Sequence, residues 1–149
     1  MTVNGVNDAP LSGGFADPSG INDTATVNPF TGVTFSDVDV TPVADSQTVT
    51  VTLDTAAKGV FTAASLTASG FVDAGGGAYT LAATTAALAQ AAIRQLVFDP
   101  TDNRVAPGTT ETTTFTVAVN DGNTTTTNNT TTAVSTSVND APLIGGAVA

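Results

Sequence analysis

Two stretches of strict alternation constrain the fold most. From Gln47 to Asp54, Val49, Val51 and Leu53 alternate with Thr48, Thr50 and Thr52. From Thr112 to Asn120, Phe115, Val117 and Val119 alternate with more polar residues. A period of two puts the two sets on opposite faces of a β-strand. The apolar set must face a core and the Thr set solvent. The chain holds about 30 threonines, a residue that suits strands and disfavours helix interiors.

Turn chemistry separates the strands. Twelve of the 13 acids are Asp, and Lys58 is the only lysine and Glu111 the only glutamate. Glu and Lys populate helix surfaces, whereas Asp and Asn populate turns and oxygen-lined loops. Short strands are expected at Leu11–Ala16, Thr24–Asn28, Gly32–Phe35, Gly59–Thr62, Ser69–Val72 and Ala78–Ala82, besides the two clear ones. Thr84–Arg94 breaks this pattern. It is Ala-rich, lacks Gly and Pro, and has Thr84 or Thr85 to cap it. One short helix is expected there, with Leu88, Ala92 and Leu96 on one face, running into a strand at Gln95–Phe98. Asp121–Asn129 reads as a polar loop and Thr130–Val138 as the last strand. The class is all-β, a sandwich of about seven to ten short strands with one helix near 84–94.

What is missing narrows the chemistry. Among 149 residues there is no Cys, His or Trp, and there is one Tyr. Thiolate nucleophiles, imidazole bases, His-ligated zinc and disulfides are therefore excluded. Three cations against 13 acids, a net charge of −10, cannot make a nucleic-acid footprint or hold an anionic membrane. The longest apolar run, Ala86–Val97, is too short and too polar to span a bilayer. No basic-then-apolar leader opens the chain, and Met1 reads as a start placed on an interior fragment. With few aromatics and no cleft signal, no small-molecule substrate and no enzyme activity are expected.

The chain also repeats itself. Residues 6–14 (Val-Asn-Asp-Ala-Pro-Leu-Ser-Gly-Gly) and 138–146 (Val-Asn-Asp-Ala-Pro-Leu-Ile-Gly-Gly) match at eight of nine positions, 132 residues apart. This predicts a tandem array of that period. Residues 1–10 are then a linker, 11–138 the repeat body, and 139–149 the next linker with the start of the next unit.

The remaining functional chemistry is that of oxygen. Asn7-Asp8, Asp37-Val-Asp39, Asp99, Asn120-Asp121-Gly122 and Asn139-Asp140 fall at strand ends or in linkers. Strand ends of a sandwich cluster at two poles, so residues remote in sequence can share one cage. Six to eight such oxygens suit Ca2+ better than Mg2+. The plainer alternative is solvated loop carboxylates. Asp23, Asp45, Asp54, Asp73 and Asp102 read as turn residues.

In this order the motifs resemble a family. Val-Asn-Asp121-Gly, a strand, then Val-Asn-Asp140-Ala-Pro is similar to the end of a cadherin-type repeat, and Asp37-Val-Asp39 to its Asp-x-Asp motif. Phe98-Asp99-Pro stands where that family has an acidic motif. Residues 91–98, 111–116 and 138–142 resemble cadherin-like repeats of large type I-secreted, RTX-type bacterial surface adhesins. The resemblance implies an Ig-like Greek-key sandwich. It also implies a calcium site of Asn7, Asp8, Asp37, Asp39 and Asp121 at the leading pole. At the trailing pole Asp99 would meet Asn139 and Asp140. The linker carries fewer acids than the vertebrate pattern, so fewer than three ions per junction are expected. The implied role is a secreted, monomeric, calcium-stiffened spacer on the bacterial surface. It would extend distal binding domains, with neighbouring repeats as partners and a linker mobile until metal ties it down. Two other roles fit the residues: an adhesive module binding a glycan or protein directly, and a calcium-independent spacer.

Overall fold

The alternation at 47–54 is realised as a strand, β4 (Gln47–Leu53), with Val49, Val51 and Leu53 buried and the threonines turned out. Its neighbour β9 (Thr110–Asn120) runs antiparallel in the register Leu53↔Phe115, Val51↔Val117, Val49↔Val119. The apolar sets of both strands therefore share one face. In the computed structural model, residues 5–16, 20–39, 46–142 and 144–146 are described. Among them the chain is mostly β, with ten strands, two α-helices and a short 3-10 turn at Ala56–Lys58.

Around the β4–β9 pair a six-stranded sheet assembles. β10 (Thr125–Thr136) returns along the other side of β9, and its end is joined in parallel by β2 (Ile21–Asn22). Beyond β4 lie β7 (Ala78–Thr84) and the edge strand β6 (Val72–Gly75), a hairpin. The order is β2-β10-β9-β4-β7-β6. The inward face is covered by smaller pieces: β1 (Leu11–Gly13) paired with β3 (Thr34–Ser36), β5 (Gly59–Phe61) paired with β8 (Phe98–Pro100), and helix α2 (Ala86–Ile93). Phe115 projects from the sheet into this layer. It meets the rings of Phe98, Phe30 and Phe61 at 5.0, 5.4 and 5.8 Å, the first two edge-on. Edge-on packing sets the positive rim of one ring against the negative face of the next.

Several local expectations need correction. The expected helix forms at Ala86–Ile93, capped by Thr85, whose hydroxyl accepts the N–H of Leu88. Its buried face is Ala86, Ala89, Ala92 and Ile93, whereas Leu88 is 61% exposed. Small alanines let the helix axis approach the sheet, where a Leu face would hold it off. The strand after it begins at Phe98 rather than Gln95, because residues 94–95 turn. A second helix, α1 (Ala63–Ser69), replaces part of the strand expected at Ser69–Val72. Thr62 caps it by accepting the N–H of Ser65, and Gly70 ends it in the left-handed region at φ 82°. Thr24–Asn28 forms a turn and one bridge, Val27↔Phe98, in place of a strand. β10 starts at Thr125, so most of the loop expected at 121–129 is strand. Pairing with β9 carries it through the polar residues, with a register shift between Asn128 and Thr131.

Candidate functional site: two polar poles

The leading pole gathers the end of β3, the start of β4, the β9–β10 turn and residues 7–10. Asp121, 8% exposed, organises the turn. Its Oδ1 accepts the backbone N–H of Asn123 at 2.8 Å and of Thr124 at 2.7 Å. Its Oδ2 accepts the Thr124 hydroxyl at 3.0 Å and Asn7 Nδ2 at 2.8 Å. Gly122, at φ 98°, supplies the backbone angle this turn needs. The Thr124 N–H, then the Asn7 amide and the Asn123 N–H, favour the ionised carboxylate and hold Asp121 well below the usual carboxylate range.

Asp37 and Asp39 continue the network. Asp37 Oδ1 accepts the N–H of Asp39 at 3.1 Å, and its Oδ2 accepts Gln47 Nε2 at 2.7 Å. Gln47 is fully buried, and among the described residues its Oε1 has no partner. Asp39 Oδ2 accepts the backbone N–H of Asp8 at 2.8 Å. Asn7 Oδ1 accepts Asn123 Nδ2 at 2.9 Å, and the Pro10 carbonyl accepts the Thr126 hydroxyl at 2.6 Å. Asn7, Asp8, Asp37, Asp39 and Asp121, drawn from three remote stretches, are thus brought to one pole.

Among the described residues, no three acidic side chains stand close enough together to hold a metal ion as they are. The carboxylates of Asp37, Asp39 and Asp121 rest on N–H donors instead. Of these donors, the Asn7 amide on Asp121 and the Asp8 N–H on Asp39 tie residues 7–8 to the rest of the chain. The donor set still fits a hard cation. It is all oxygen, anionic, and includes the unpartnered Gln47 Oε1 beside Asp37.

Asp99 lies in β8 paired with Val60, and among the described residues no hydrogen bond joins it to Asn139 or Asp140. Asp23, expected as a turn residue, does lie in a turn and meets this segment. It is 4% exposed, and accepts the N–H of Asn103 at 2.9 Å and of Val138 at 3.1 Å. The Asn103 N–H outweighs burial and, with Val138, holds Asp23 below the usual carboxylate range. Asn103 in turn donates Nδ2 to Asp140 Oδ2 at 2.8 Å. Backbone bonds from Ser137 to Thr109 and from Gly108 to Ser137 extend this hold. Of the other expected turn residues, Asp54 pairs with Lys58 at 2.6 Å, and Asp45 lies outside the described residues.

Sequence reasoning missed Gln47, Asn123 and Thr126 at the leading pole and Asp23 and Asn103 at the trailing pole. The run Asn120-Asp-Gly-Asn-Thr124 is an Asx-turn signal that could have found Asn123. Nothing local marks Asp23, because its burial comes from the parallel β2–β10 pairing.

Comparison with protein-family models, with curated proteins and with solved structures returned no match.

Proposed function

We propose that the chain is a cadherin-like spacer repeat of a large, secreted bacterial surface protein of the RTX-adhesin type, stiffened by Ca2+ and without enzyme activity. The observation that carries this reading is the leading pole, where Asn7 of the linker docks on Asp121 and Asp8 on Asp39, whose own N–H rests on Asp37. A Greek-key, Ig-like arrangement is supported by the sheet order: β10, β9 and β4 follow one another as the last strands and the third strand of an Ig sandwich do. The parallel addition of β2 to β10 fits the same scheme.

Asp37, Asp39 and Asp121, with Asn7, Asp8 and Gln47 Oε1, are the residues that would hold the ion. A bound Ca2+ would supply charge neutralisation and a rigid tie between linker and body. In this chain hydrogen bonds already tie Asn7 to Asp121 and Asp8 to Asp39. Asn139 and Asp140 would play the part of Asn7 and Asp8 for a following unit. The aromatic residues favour a spacer over an adhesive module. Six of the seven Phe and the Tyr are buried, and Phe15 packs against the core, so no aromatic platform faces solvent among the described residues.

Calorimetric titration of the EDTA-stripped chain tests the reading. CaCl2 should bind with a Kd of roughly 10⁻⁴–10⁻³ M, as extracellular modules do. Asp37→Ala and Asp121→Ala should abolish the signal. Absence of calcium binding to the unaltered chain would overturn the calcium assignment.

A further inference from the structure

The repeated nonapeptide is seen here against both poles, and the two views are complementary. At the leading pole Pro10 is buried, yet Val6 is 80% exposed. At the trailing pole Val138, the counterpart of Val6, is half-buried, and Pro142, the counterpart of Pro10, is exposed. Each pole covers the part of the motif that the other leaves bare.

The polar atoms divide the same way. Ahead, Asp8 gives its backbone N–H to Asp39, and Asn7 exchanges hydrogen bonds with Asp121 and Asn123. Behind, Val138 gives its N–H to Asp23, and Asp140 takes Asn103 Nδ2 on its carboxylate. No atom of the motif is claimed by both sets. The local conformation also agrees: Asn7 Nδ2 donates to the Asp8 carbonyl at 3.1 Å, and Asn139 Nδ2 to the Asp140 carbonyl at 3.4 Å. One linker can therefore satisfy both poles without rearranging.

We propose that residues 138–142 are a bivalent linker. They are gripped behind by Asp23 and Asn103 of their own unit, and ahead by the Asp39, Asp121, Asn123 and Thr126 positions of a second unit of this fold. The partner of each pole is the opposite pole of the next unit, and the junction is set by hydrogen bonds before any cation binds. The inference rests on the tandem reading and is independent of calcium.

The test is the full chain followed by residues 18–149 of a second copy, which keeps the 132-residue register. With no native Cys, one Thr80→Cys label per copy reports the distance between units by electron–electron dipolar spectroscopy. In EDTA the distance distribution should be narrow. Asn103→Gly in the first copy, or Asn123→Ala in the second, should widen it to about 10 Å, the spread of roughly four unpaired residues. Glycine suits the positive φ of Asn103, and both side chains are exposed, so melting should stay unchanged. A distribution broad in EDTA and narrow only in calcium would overturn this inference and leave the calcium reading standing. One broad in both would overturn both. One narrow in EDTA but indifferent to both substitutions would overturn the assigned grip.

Discussion

Asp121 and Asp23 are short side chains asked to satisfy several donors at once, and that sets how the protein responds to acid. Both are held ionised below the usual carboxylate range by N–H donors. A carboxyl whose folded pKa is depressed contributes stability that is fully present above its unfolded value of about 3.9. That stability is lost as pH falls through the folded value. Melting temperature should therefore be insensitive to these groups near neutral pH and fall steeply below about pH 4. Asp23→Asn must turn its own amide hydrogens toward the N–H of Asn103 or Val138. It should lower the melting temperature at pH 7 and flatten the acid limb, and acid profiles that run parallel for both proteins would contradict this. The importance of Asp121 was legible, because Asn-Asp-Gly after a strong strand announces an Asx-turn. That of Asp23 was not, since a short strand's parallel partner 114 residues away leaves no mark on neighbouring residues.

Among the elements, β4 and β9 were readable because Val/Thr alternation reports burial on one face directly. The start of β10 was hidden, since Thr125–Thr130 is polar on both faces and is strand only because β9 pairs with it. Helix α1 was hidden by its length: seven residues give too few turns for a period, although Thr62 and Gly70 mark its ends. Helix α2 announced itself by composition, and its cap is testable. Thr85→Ala should cost about 1 kcal/mol in urea unfolding, and an unchanged midpoint would mean the cap contributes nothing. The β5–β8 pair is tighter. A Cβ at Gly59 would lie 2.5 Å from both the Asp99 carbonyl and the Phe98 ring. Gly59→Ala should destabilise by roughly 1–3 kcal/mol through overpacking, read from the same unfolding curves. Phe115→Ala, which empties the centre of the aromatic cluster, should cost about 3–5 kcal/mol. A smaller loss there than at Gly59 would contradict the place given to Phe115.

At the scale of the molecule, one large sheet and its patchwork cover carry two polar poles at opposite ends of β10. The leading-pole residues were legible as a set only through the resemblance of their motifs to a cadherin-type repeat, because strand ends fall at either of two poles and spacing alone does not say which. Their present partners were not, because backbone N–H groups have no letter in the sequence. The proposed role turns first on Ca2+ binding at the leading pole. The most direct measurement is the melting temperature of the chain in EDTA, in a few millimolar CaCl2 and in matched MgCl2. At ~3- to 30-fold excess over Kd a bound ion adds about 1–2 kcal/mol, a rise of roughly 2–8 °C for a domain of this size. That rise is expected with calcium, not with magnesium, and is lost in Asp121→Ala. Coincident melts in all three buffers would contradict it.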